Sequence, residues 1–222
     1  MANKTIEDKI NEGRQYRNID LSGIELRAAE DGGEMVVEGY ATTFNQPYEL
    51  FRMDRWTVRE QVDPHAFDEA DMADVIMQYN HEGRVFARTG NGTLTLRTDD
   101  AGLHIRADLS GTELGRQVFN EIRGGYTTKM SFGFKVAEDA QTETENKETG
   151  EVDILRTITK ISKLYDVSAV SIPANDATSI SARTDGEGVI AEVAEEISKR
   201  EAERERRERQ KQKIRIMLEV NR

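Results

Sequence analysis

Between residues 34 and 181, apolar side chains recur at every second position, run after run, and most runs stop at a Gly, Pro, Asn or Asp. A period of two belongs to a strand with one buried face, since a helix repeats at about 3.6. The pattern predicts strands over 33–43, 56–62, 73–79, 84–88, 93–97, 103–109, 129–136, 153–163 and 165–172. One substantial helix interrupts them, from about Thr112 to Arg123, with Leu114, Val118, Phe119 and Ile122 as its apolar stripe and Gly124-Gly125 as its stop. Strands this short and closely spaced favour an α+β fold, a mainly antiparallel, β-barrel-like core flanked by helices.

The connections carry expectations of their own. Asn45 to Trp56 has no clear period and reads as a loop. Asp63-Pro64 opens a brief helix that His65 to Ala70 completes. Gly90-Asn91-Gly92 has the composition of a tight hairpin turn, and Glu138 to Gly150, polar and acidic, reads as a loop between strands.

Outside this body the chain changes character. Thr5 to Arg14 reads as a capped amphipathic helix, so residues 1–33 form an N-terminal helix and linker ahead of a body at 34–182. Residues 183–222 are a Gly-containing linker followed by a charged helical tail: Val189 to Val220 lacks Pro and Gly, pairs Glu with Arg at helical spacing, and has only a narrow apolar line at Val189, Val193 and Ile197. From Glu195 to Arg222 there are ten Lys/Arg against seven Asp/Glu, so of the chain's net charge of −11 the remainder holds −14. An acidic body argues against binding a phosphate backbone.

Composition removes further classes. With no cysteine there is no disulfide framework, thiol nucleophile or zinc–thiolate site, and three histidines leave little for a metal centre. No apolar run has the length of a membrane span, and the polar start lacks a signal-peptide core, which leads to the expectation of a soluble, cytosolic protein.

Three stretches carry the chemistry. In Lys129-Met130-Ser131-Phe132-Gly133-Phe134-Lys135-Val136, alternation sets Ser131 on the face opposite Met130, Phe132 and Phe134, an open face beside a glycine from which a hydroxyl can reach a substrate carbonyl. His81 follows Asn80 at the exit of the 73–79 strand, where a scaffold fixes a side chain while leaving it accessible. Near the end of the body lies Asp166-Val167-Ser168-Ala169-Val170-Ser171-Ile172-Pro173-Ala174-Asn175. An ionised Asp166 among Tyr165, Val167 and Val170 needs a cationic or hydrogen-bonding partner, and an imidazole would serve.

In this order and spacing, with "SFGF" and "VSxVxxPAN" the most telling segments, residues 34–182 resemble the prohead proteases of tailed bacteriophages, relatives of the herpesvirus maturational protease. The resemblance implies a serine endopeptidase, without cofactor or metal, that trims the major capsid protein and scaffold segments inside the immature head in the host cytoplasm. It implies Ser131 as nucleophile and His81 as general base. Asp166 falls at the acidic position of the third segment, where the phage enzymes usually carry Glu and the herpesvirus ones a second His. A homodimer is carried over from the herpesvirus enzymes, and removal of the tail by the enzyme itself is the accompanying expectation. Backbone N–H groups near a glycine bend, or a guanidinium such as that of Arg156, are the types of group that could hold the oxyanion. The competing reading is a non-enzymatic capsid assembly or scaffolding module that acts through its charged C-terminal helix. An esterase-like hydrolase lacks support because no Gly-x-Ser-x-Gly elbow surrounds Ser131.

Overall fold

In the computed structural model of the chain, the structure describes residues 14–20, 25–28, 34–170 and 186–220. The expected N-terminal helix falls almost wholly outside these residues, as do Pro173-Ala174-Asn175 and Thr184-Asp185 of the linker, whereas Gly186-Glu187-Gly188, read as linker, are the first residues of a helix. In chain order the elements are β1 (Gln15–Asp20), β2 (Glu25–Ala28), β3 (Met35–Thr43), β4 (Tyr48–Met53), β5 (Trp56–Val62), β6 (Ile76–Tyr79), β7 (Glu82–Arg88), β8 (Leu94–Thr98), β9 (Gly102–Asp108), α1 (Glu113–Arg123), β10 (Lys129–Glu145), β11 (Val152–Val170) and α2 (Gly186–Val220).

Most of these residues are in strands, and most strand pairs are antiparallel, as the alternation predicts. The sheets do not close into a barrel. A seven-stranded sheet runs β1-β10-β11-β5-β4, with β6 on β11 and β7 on β6, and a separate four-stranded sheet runs β2-β3-β9-β8. The chain passes between the two sheets at Gly90-Asn91-Gly92. Gly92 adopts the positive φ such a turn needs, 78°, with its N–H donated to Thr89 O, but the three residues do not turn a hairpin. β7 pairs with β6 and β8 with β9, so the turn carries the chain from one sheet to the other.

The long strand β11 organises the larger sheet. Along one edge it pairs antiparallel with β10 over nearly its whole length, and along the other it holds β5 in parallel at Val152–Ile158 and β6 in parallel at Asp166–Ala169. The two strands expected over 153–163 and 165–172 are thus one. The acidic stretch after Val136 is also strand rather than loop: β10 continues to Glu145, exposed along its outer half, with main-chain pairing to β11 in place of apolar burial. Likewise Tyr48–Met53 is a half-buried strand paired with β5, invisible to a search for alternating burial. His65 to Ala70 is no helix; the N–H groups of Ala66, Asp68 and Ala70 each bond a carbonyl three residues back, a chain of turns that buries Ala66 and Phe67. Both β1 and β2, from the stretch expected to be helix and linker, are strands of the two sheets.

Helix α1 follows its sequence signals. The Thr112 hydroxyl accepts the Gly115 N–H at 2.9 Å, and Val118, Phe119 and Ile122 enter the main core while Leu114 stays exposed. In that core Phe132 and Phe134 stack with centroids 4.5 Å apart. Helix α2 is less detached than its narrow apolar line implies. Ile197 is buried in a small cluster with Trp56, Val58 and Val152, and the Glu201 carboxylate accepts the Trp56 indole N–H at 2.7 Å and pairs with Arg55 at 2.5 Å.

Candidate active site

Ser131 on β10 lies directly across from Ser168 on β11, and Gly133 directly across from Asp166. Opposed residues share a face, and so do residues two apart on one strand, so Ser131, Asp166 and Ser168 gather on one side of the sheet. The pairing slips just beyond, between Gly133 and Phe134, so the regular register that positions Ser131 and Asp166 ends there.

His81 arrives from the other side of β11. Tyr79 pairs with Glu82, leaving Asn80-His81 as a two-residue turn between β6 and β7, and both turn residues have positive φ, 50° and 59°. Tight hairpins of this length need that backbone, which Asn and His tolerate better than most residues, at a cost of about 1–3 kcal/mol. The Asn80 N–H donates to Ala169 O at 2.9 Å and ties the turn to β11. The strand exit anticipated for His81 is therefore a strained, docked corner rather than a loose loop.

The three residues singled out in the sequence meet. His81 Nε2 lies 2.6 Å from Ser131 Oγ, and His81 Nδ1 is hydrogen-bonded to Asp166 Oδ1. An acid at Nδ1 keeps the proton there and leaves the Nε2 lone pair facing the hydroxyl. Asp166 is buried, and its Oδ1 also accepts the Ser168 hydroxyl at 2.9 Å. Sequence reasoning assigns Ser168 no role; its place two residues beyond Asp166 on the same strand is the signal that could have found it. Asp166 Oδ2 is buried without a hydrogen-bond partner among the described residues and lies 3.7 Å from Arg14 Nη1. One expectation fails outright: the face that carries Ser131 is not open, because Ser131 is 0% exposed.

Arg156, considered as an oxyanion donor, is committed elsewhere. It lies buried with Nη1 on Glu60 Oε2 at 2.6 Å and Nε on Asp139 Oδ2 at 2.5 Å. The same Glu60 carboxylate accepts the Tyr48 hydroxyl at 2.5 Å and forks with Arg17, whose Nη2 is 2.9 Å from Oε2. Burial pushes the Glu60 carboxyl up, but the charges of Arg17 and Arg156 outweigh it and hold the group at about 2, while burial drives the Tyr48 hydroxyl well above its ordinary range.

Residues 22–192 match a family model described as "Caudovirus prohead serine protease". Among solved structures, the capsid assembly protease gp21 of bacteriophage T4 is similar at 12% identity, covering 72% of this chain and 98% of that one with a TM-score of 0.38. No curated protein matches the chain.

Proposed function

The chain belongs to the caudovirus prohead serine protease family, and from that premise we propose that it is a serine endopeptidase whose catalytic residues are Ser131, His81 and Asp166. The observation that supports this reading above others is the single imidazole hydrogen-bonded at one nitrogen to a strand serine and at the other to a buried carboxylate. In this reading His81 Nε2 takes the hydroxyl proton as Ser131 Oγ attacks the scissile carbonyl. Asp166 stabilises the imidazolium, which then gives its proton to the leaving amine, and water repeats the sequence on the acyl-enzyme. Asp is one methylene shorter than Glu, and the directness of the Asp166 contact argues that β11 brings the shorter acid close enough. Ser168, sharing Oδ1, orients the carboxylate.

The substrates in this proposal are the major capsid protein and scaffold segments, cut inside the prohead in the host cytoplasm. The working domain covers residues 34–182, with strands β1 and β2 added from the preceding stretch and a charged tail behind. Ser131→Ala and His81→Ala should each abolish cleavage of the phage's own capsid protein, read by intact mass, with unchanged far-ultraviolet circular dichroism. A folded Ser131→Ala protein that still cuts at the wild-type rate would end the assignment and return the scaffolding reading to the front.

A further inference from the structure

A nucleophile that is 0% exposed cannot meet a peptide carbonyl until something moves. In the sheet, Ser131 has two main-chain neighbours, Ser168 on β11 and Asn18 on β1. Strand β11 carries Asp166 and must stay. Strand β1 is six residues long, lies at the rim of the sheet, and among the described residues pairs with β10 alone. Its register runs antiparallel from Gln15 opposite Phe134 to Asp20 opposite Lys129, with Asn18 opposite Ser131 as one of the two central pairs.

Two side chains pin this strand. The Arg14 guanidinium sits over the Tyr165 ring, 3.9 Å from its centroid, and approaches Asp166 Oδ2. A cation there draws on the same carboxylate that must stabilise a protonated His81, so it weakens the proposed triad as well as covering it. Arg17 enters the buried pocket where Glu60 and Tyr48 receive it. Without Arg17, Glu60 loses one of the two guanidiniums that bond it among the described residues, so an occupant that brings no cation is penalised.

We propose that β1 is a resident occupant of the substrate position: an extended substrate segment replaces it along the β10 edge at Lys129–Phe134, and the Glu60–Tyr48 pocket that holds Arg17 selects a basic side chain in that segment. The inference deepens the protease reading and rests on it. Main-chain pairing along a vacated sheet edge supplies affinity without sequence preference, and the pocket supplies the preference. The edge is latent until β1 leaves, and the enzyme's own strand competes with every substrate.

The chain has no cysteine, so Asp20→Cys with Lys129→Cys, opposed across β1 and β10, closes one disulfide that locks the strand in place. Reaction of Ser131 with an alkyl fluorophosphonate should be at least about tenfold slower in the oxidised than in the reduced protein. A free peptide of the Arg14–Asp20 sequence should protect Ser131 in the reduced protein, its Arg17→Glu version should be about tenfold weaker, and Glu60→Gln protein should no longer separate the two peptides. Should Glu60→Gln fail to fold, the two peptides on the reduced Cys variant still decide. Equal rates in oxidised and reduced protein overturn the resident strand and leave the protease reading intact, and equal peptides overturn the pocket. A Ser131 that never reacts counts against the protease reading instead. Hydrogen exchange at 129–134 then judges the edge alone: slower exchange with added peptide supports replacement, and unchanged exchange overturns it.

Discussion

At the scale of single residues, Asp166 and Glu60 are both buried carboxylates, yet their surroundings give them different work. Asp166 holds an imidazole and leaves one oxygen without a hydrogen bond among the described residues, whereas Glu60 is saturated by two guanidiniums and a phenol. Asp166→Asn should therefore lower kcat by about 10³–10⁴-fold with KM changed by less than about twofold, because the amide favours the wrong imidazole tautomer and cannot stabilise the imidazolium. Steady-state kinetics on a cleaved peptide checks this. Glu60 acts on stability. Its carboxyl is held at about 2 in the folded protein against 4.5 ordinarily, so its contribution is complete above about pH 4.5 and is lost as pH falls toward 2. Roughly 3 kcal/mol follows from a shift of that size. Denaturant melts of wild type and Glu60→Gln should differ by about that much at pH 7, and the gap should narrow steadily between about pH 5 and 2.

At the scale of elements, two glycines make a paired test. Gly83, next to the His81 turn, has φ +78° and open space where a Cβ would stand, so Gly83→Ala meets only backbone strain, about 1 kcal/mol. Because that strain bears on the turn that aims His81, it should cost activity out of proportion to stability. Gly102 is the converse: a Cβ there would lie 2.0 Å from Thr42 O on the neighbouring strand, so Gly102→Ala forces β3 and β9 apart. Thermal melts should rank Gly102→Ala as the more damaging by several degrees, with its residual activity falling only in step with its unfolding.

At the scale of the whole molecule, the tail is both docked and charged. Trp56 is the single tryptophan, 4% exposed, and touches α2 through Glu201, so its fluorescence reports whether the helix is seated. Glu201→Ala combined with Ile197→Asp should undock α2 and shift that emission to the red while the main core stays folded. In the protease reading the tail is cut between about Arg183 and the charged helix, and the same red shift should accompany the appearance of a shorter mass. Ser131→Ala protein should show neither change, and an intact tail in active wild type argues against self-processing without touching the triad.

Period-two alternation is enough to predict a strand-rich, mainly antiparallel body and the strands that bear Ser131 and Asp166, because a strand with one buried face writes its burial into every second residue, and an apolar stripe at helical spacing predicts helix α1. The family resemblance carried by Asn80-His81, the Ser131 segment and the Asp166 segment also brings forward the three residues that meet. What lies beyond sequence has one physical root: main-chain hydrogen bonding between distant segments leaves little trace in side-chain type. For that reason β4, the outer half of β10 and the rim strand β1 are not legible in the residues, the Gly90-Asn91-Gly92 turn reads as a hairpin when it joins two sheets, and a barrel is expected where none closes. The burial of Ser131 is a tertiary decision of the same kind. Its own alternation implies an open face, and only the folded chain brings His81, Asp166 and Ser168 onto that face.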